Sequence, residues 1–172
     1  MNHYIIDYSN WSDSGGCCVV YPIKDRSDLV FKEFRTKNQA ISSFKLQKKL
    51  ALHDLAPRVW SKIDQLNFAE DDGLHMDKSD WGYVTEKAVV TGKVKLDQLQ
   101  NLVDEIYDKT GLSFWDSHSY NVGFVNRSGQ SKLVCIDSVK ESFIRDSNAW
   151  GLNFPGPFCR NCCEYQCKCG AT

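Results

Sequence analysis

Nothing in the 172-residue chain approaches the roughly 20 consecutive apolar residues that cross a bilayer. Its start, Met1-Asn2-His3-Tyr4-Ile5-Ile6-Asp7, lacks the basic region and long apolar core of a secretory signal, so a cytoplasmic protein with no membrane partner is expected. Excess charge of either sign is missing too: 21 Lys and Arg face 22 Asp and Glu, a net charge of −1. Without a global positive field, a mainly electrostatic nucleic-acid binder is disfavoured. There is no internal repeat. What is present is ordinary globular composition, 42% hydrophobic and 25% charged, which excludes a largely disordered or fibrous chain. The length suits one compact unit, or one with a small appendage.

The first third reads as strands. Tyr4-Ile5-Ile6 is a short apolar run, and Gly15-Gly16 is a turn signal before the β-rich Cys17-Cys18-Val19-Val20-Tyr21. Asp25 to Asp28 reads as the next turn, and Leu29-Val30-Phe31-Lys32-Glu33-Phe34 as another strand, giving an antiparallel meander. A helix capped by Thr36 follows, with Ala40, Ile41, Phe44, Leu50 and Ala51 near helical spacing and Pro57 ending it. Residues 57–63 look extended, and Ala69 to Ser79 reads as an acidic, solvated loop. Trp81 to Glu86 reads as a fifth strand. A second helix is expected from about Leu96 to Lys109, with Leu99, Leu102, Val103, Ile106 and Tyr107 at i, i+3, i+4 spacing and Gly111 closing it. Residues 114–121 read as a polar, aromatic loop, followed by a hairpin of Val122–Val125 and Leu133–Ile136 around residues 126–129.

That hairpin gathers chemistry. Asp116 and Asn121 flank the start of one strand, and Asp137 directly follows the other, so pairing of the strands brings the three side chains towards one point. Carboxylate and amide oxygens are the hard ligands Mg²⁺ takes alongside substrate phosphates, and a separate carboxylate can orient an attacking hydroxyl. The plainer alternative is that Asp116 and Asn121 only shape a turn. In Asp116-Ser117-His118-Ser119-Tyr120-Asn121, in the strand ending Ile136-Asp137, and in Val30-Phe31-Lys32, the chain resembles the protein-kinase-like superfamily over about residues 4–143. The order of elements agrees with that family. The Asp-x-His-x-x-Asn form is more similar to compact prokaryotic and viral (phage or bacterial) kinase-like proteins than to eukaryotic protein kinases.

The resemblance implies an α+β, two-lobed minimal kinase-like fold. Residues 1–90 would form a five-stranded sheet with a helix, residues 91–150 a reduced second lobe, and residues 151–172 a Cys-rich tail. It implies ATP and Mg²⁺ as cofactors and a phosphotransferase activity. Lys32 would hold nucleotide phosphates, Asp116 would orient the acceptor hydroxyl, and Asn121 and Asp137 would hold Mg²⁺. Gly15 and Gly16 would cradle phosphate, and Glu86 would lie in the segment that holds adenine through its backbone. His118 either orients the loop through a backbone hydrogen bond or is an exposed loop histidine.

Several features depart from the family pattern. Two adjacent glycines replace three spaced ones, and a plain hairpin turn is an equal reading of them. From Asn38 to His53 there is no Asp or Glu to pair with Lys32, which leaves Gln47 as its best placed partner; Glu33 alternates to the other face of the strand. Only 35 residues follow Asp137, so the peptide-binding helices of a full kinase are not expected. Either a protein partner or substrate completes the site, or the chain is a pseudokinase-like interaction module.

Five of the eight cysteines fall at Cys159, Cys162, Cys163, Cys167 and Cys169. In a reducing compartment this cluster reads best as four thiolates around a structural Zn²⁺ with one to spare, disulfides or reactive thiols being the alternatives. A zinc-knuckle nucleic-acid binder is a third functional class, weakened by the neutral net charge.

Overall fold

The computed structural model describes residues 4–13, 18–65 and 81–145, together with the strand pieces 158–159 and 164–165. Gly15, Gly16, Cys17, the whole acidic loop and four of the five tail cysteines lie outside the described residues. The fold is of the α+β class. Strands β1 (Ser12–Asp13), β2 (Val19–Ile23) and β3 (Arg26–Phe34) form an antiparallel meander followed by helix α1 (Lys37–Ala51). The first strand of the meander is Ser12–Asp13, whereas Tyr4-Ile5-Ile6, expected as a strand, contributes only an isolated bridge of Ile6 to Ile23. Strands β4 (Asp64–Gln65) and β5 (Trp81–Glu86) complete a five-stranded sheet in the order β1-β2-β3-β5-β4. Helix α2 (Leu96–Thr110) leads into β6 (Leu112–Phe114), the β7 (Val122–Arg127) and β8 (Gln130–Cys135) hairpin, and β9 (Phe143–Arg145). Strands β10 (Phe158–Cys159) and β11 (Glu164–Tyr165) pair antiparallel near the end, with Cys159 opposite Glu164. Among the described residues no helix is long and apolar enough to cross a membrane.

Alternation along β3 sets the architecture. Leu29 and Phe31 face one side of the sheet and join Tyr21, Ile23 and Val84 in a cluster that Tyr4, Ile6 and Tyr8 cover. Phe34 and, across the ladder, Tyr83 face the other side, where α1 packs with Ala40 and Phe44. Val30 and Lys32 share that second side, so the period-2 rule carries Lys32 inward beneath α1. A third cluster joins Leu50 at the end of α1 and Leu55 just after it to Leu102 and Ile106 of α2 and to Phe114, Val122 and Phe143.

Local chemistry explains most boundaries. The Thr36 hydroxyl accepts the Gln39 N–H at 3.2 Å and caps α1, whose last turn carries Lys48 and Lys49 near its negative end. Helix α1 ends before Pro57: Asp54 takes φ 56° and the chain reverses there, with the Leu55 N–H donating to Leu50 O at 3.0 Å. Gly111, at φ 67°, closes α2. The turn expected over residues 25–28 is tighter: Asp25 alone takes a positive φ of 61°, and Arg26 and Asp28 already lie in β3, joined by an ion pair at 2.8 Å. Ser128 and Gly129 both have positive φ, the requirement of a type I′ turn, so β7 and β8 run longer than expected. The β6–β9 pair, Leu112–Phe114 against Phe143–Arg145, had no sequence signal beyond Phe114 and Phe143, whose rings stack at 4.9 Å.

Candidate active site

The expected side chains reach the site from several elements, Gln47 only through its contact with Lys32. Lys32 comes from the middle of β3, Gln47 from the inner face of α1, Glu86 from the end of β5. Asp116 lies in the β6–β7 loop, Asn121 immediately precedes β7, and Asp137 lies two residues beyond β8. Lys32, Glu86, Asp116, Asn121 and Asp137 line one cavity of about 520 Å³, whose apolar walls include Val20, Val30 and Ile136. A cleft of this size, mostly apolar with a few convergent charged groups, fits a small-molecule ligand.

Lys32 is 6% exposed and its Nζ donates to Gln47 Oε1 at 3.1 Å and to the Ile136 carbonyl at 2.6 Å. Burial works against its charge, but the surrounding groups, Asp137 the carboxylate among them, outweigh burial and leave its pKa above the ordinary value. The expected Lys32–Gln47 contact is therefore present. Gln47 is fully buried and does more than face Lys32. Its Oε1 also accepts from Tyr83 Oη at 2.9 Å and Ser138 Oγ at 3.0 Å, and its Nε2 donates to Pro57 O at 2.9 Å and Thr85 Oγ1 at 2.5 Å. Ser43 adds a hydroxyl contact to Tyr83 at 2.8 Å. Glu33 points to the opposite face as expected and accepts from Tyr21 Oη at 2.7 Å.

The loop from Asp116 to Asn121 is tied to itself. Asn121 is 8% exposed, and its Nδ2 donates to Asp116 Oδ2 at 3.0 Å and to Asp116 O at 2.9 Å, so Oδ1 is the atom left to face a ligand. His118 Nδ1 accepts the Tyr120 N–H at 3.3 Å, which places the ring proton on Nε2, 3.6 Å from Asp116 Oδ1. Both readings of His118 therefore describe it: half its side chain is exposed and it also organises the loop. The Asn121 carbonyl accepts from the N–H groups of Ile136 and Asp137 at 3.0 and 3.3 Å, locking the two ends of the hairpin together.

Asp137 is half-buried, with Oδ2 accepting from Ser142 Oγ at 2.5 Å. Burial pushes its pKa up and nearby Asp116 adds to this, against the opposing pull of Ser142 and Lys32. A carboxylate whose charge is disfavoured by burial gains from a cation beside it. Among the described residues no three His, Cys, Asp or Glu side chains converge on one metal position. An Asn121–Asp137 pair matches Mg²⁺, which keeps waters and takes one or two protein oxygens with substrate phosphates. Cys135 is fully buried and its thiol is pushed far up by desolvation, so it is inert as a nucleophile.

Glu86 reaches the cavity wall, but its carboxylate is occupied. Oε1 pairs with Arg127 Nη1, and Oε2 accepts the Arg58 N–H at 3.0 Å. A ligand role for this segment falls to the backbone: Ala88 lines the cavity, and among the described residues nothing accepts from its N–H. Gly15 and Gly16, and the side chains of Cys159, Cys162, Cys163, Cys167 and Cys169, lie outside the described residues. The residues that sequence reasoning missed are Ser142, Thr85, Ser138, Pro57, Arg127 and the Ile136 carbonyl. Lys32 and Ile136 are 104 residues apart, and Gln47 and Ser138 are 91 apart, so no local pattern signals them. Comparison with protein families and with curated proteins returns no match.

Proposed function

We propose that this chain binds a Mg²⁺–nucleotide in the cavity beside β3 and the β7–β8 hairpin, and acts as an ATP-dependent phosphotransferase of protein-kinase-like, two-lobed design. The observation that carries the reading is convergence. A buried lysine, an Asp116–Asn121 pair and an Asp137 with a burial-raised pKa come from separate elements to one cavity of about 520 Å³. In this reading the apolar walls at Val20, Val30 and Ile136 enclose the base, and the backbone at Ala88 meets its polar edge. Lys32 neutralises phosphate charge, while Asn121 Oδ1 and Asp137 hold Mg²⁺. Asp116 then accepts the proton of the acceptor hydroxyl, with Asn121 Nδ2 and His118 fixing its orientation. Phosphoryl transfer demands little covalent chemistry of the protein, so positioning and charge carry the catalysis.

The second reading, a pseudokinase-like module acting through a protein partner, is favoured by one feature. Lys32 is met by a neutral amide where a carboxylate would hold it more strongly. The two readings separate on one variant. Asp116→Ala should abolish phosphotransfer from radiolabelled ATP to any acceptor, or to the protein itself, while Mg-ATP affinity stays within about threefold, because Asp116 faces the acceptor and not the metal. Absence of transfer by the wild-type protein with candidate partners would favour the module reading. Full activity in the variant would remove Asp116 from the chemistry. Zinc at the terminal cysteines is part of the proposal on sequence grounds alone; elemental analysis of protein purified without chelator should find about one zinc per chain.

A further inference from the structure

The carboxylate of Glu86 stands at the wall of the cavity, 20% exposed and two residues before Ala88, whose backbone meets the base in the reading above. Two segments far from it in sequence meet around it. Arg127, at the end of β7 and 13% exposed, pairs through Nη1 with Glu86 Oε1 and donates from Nε to Asp54 Oδ1 at 3.1 Å. Asp54 sits in the left-handed turn after α1 and also accepts from Arg58 Nη2 at 3.3 Å. Arg58 in turn gives its backbone N–H to Glu86 Oε2 at 3.0 Å. Beside this cluster the β5 extension and β7 exchange two backbone hydrogen bonds, Val89 N to Phe124 O at 2.8 Å and Phe124 N to Val89 O at 2.9 Å.

We infer that Arg127 is a positioning residue for nucleotide binding: it draws the Glu86 carboxylate against the hairpin and cancels its charge at the cavity wall. This inference rests on the nucleotide reading above. The planar guanidinium is suited to the task because its fork reaches Glu86 and Asp54 at once, which the point charge of a lysine does not. Lys87, the next residue, is exposed and among the described residues makes no ion pair with Glu86, so it is no substitute. Without Arg127, a half-buried carboxylate would stand uncompensated beside the base end of an anionic nucleotide, which lacks a charge to offset it and would be repelled through surroundings less screening than water. The hairpin that carries Asn121 at its other end would also lose its side-chain tie to the cavity wall, keeping only the Val89–Phe124 backbone pair.

The test is titration of full-length protein with Mg-ATP by calorimetry, with thermal unfolding of each variant recorded in parallel. Arg127→Ala is expected to bind about tenfold more weakly than wild type. Adding Glu86→Gln to it should restore affinity to within about twofold while the unfolding midpoint stays low, because the charge is gone but the ties to Asp54 remain broken. A purely structural role would not separate affinity from stability in this way. Wild-type affinity in Arg127→Ala, or a double variant as weak as the single one, overturns the inference and leaves the nucleotide reading standing. No binding by the wild-type protein overturns both. If Arg127→Ala does not fold, Arg127→Lys serves in its place, with an expected loss of about threefold that Glu86→Gln again relieves; wild-type affinity in Arg127→Lys then overturns the inference.

Discussion

At the scale of single residues, Gln47 is the centre of the site. Its amide is used at both ends: Oε1 faces three donors, including Lys32, and Nε2 faces Pro57 O. A carboxylate would suit Lys32 but would turn an oxygen towards the Pro57 carbonyl, which has no proton to offer. Gln47→Glu is therefore expected to destabilise the protein by about 2 kcal/mol, even though it supplies Lys32 with an ion-pair partner. Chemical denaturation with matched slopes checks this, and an unchanged or raised midpoint would show that the amide is not selected for its donor. Gln47→Leu is expected to cost more, because Lys32, Tyr83 and Ser138 each lose an acceptor in a buried setting.

At the scale of elements, close approach of strands governs where Lys32 lies. In β5, Gly82 sits opposite Glu33, and a Cβ there would come within 2.1 Å of the Lys32 carbonyl and 2.3 Å of Phe31 Cζ. The first contact is with backbone, so the strands themselves would have to part. Gly82→Ala is expected to cost about 3 kcal/mol. Gly123→Ala should cost less, since its Cβ would meet Ala88 Cβ at 2.9 Å and other atoms at 3.3 Å or more. Thermal unfolding ranks the two variants, and an equal cost at both positions would contradict this picture of the β3–β5 ladder. Helix α1 is tested separately by Thr36→Ala, which removes its one side-chain cap and should cost about 1 kcal/mol.

The elements also mark where sequence reading stopped. Periodicity and caps placed α1, α2, β3, β5 and the β7–β8 hairpin to within a few residues, because Thr36, Gly111 and Ser128-Gly129 act locally. Alternation along β3 was enough to turn Lys32 towards α1 and Glu33 to the opposite, equally buried face. Spacing alone brought Asp116, Asn121 and Asp137 together, since two paired strands have no other way to arrange their ends. What stayed hidden depends on tertiary contact: the short β6–β9 pair, the hydroxyl network around Gln47, and Arg127 reaching Glu86 across 41 residues. Glu86 illustrates the difference. Its position beside the cavity was legible, whereas the occupation of its carboxylate by Arg127 was not.

At the scale of the whole molecule, the cavity joins groups from β2, β3, the end of β5 and the segments that flank the β7–β8 hairpin, so a ligand that spans it should stabilise the fold as a unit. The most direct test is the thermal midpoint in Mg²⁺ with and without ATP, for wild type, Lys32→Met and Asp137→Asn. At about 100 times the dissociation constant, Mg-ATP should add about 2.7 kcal/mol to the wild type. For a chain of this length that raises the midpoint by roughly 5–10 °C. Each variant should lose most of the rise, Lys32→Met through the phosphates and Asp137→Asn through the metal. No rise in the wild type above Mg²⁺ alone, or an equal rise in all three proteins, would contradict the assignment of this cavity to a Mg²⁺–nucleotide.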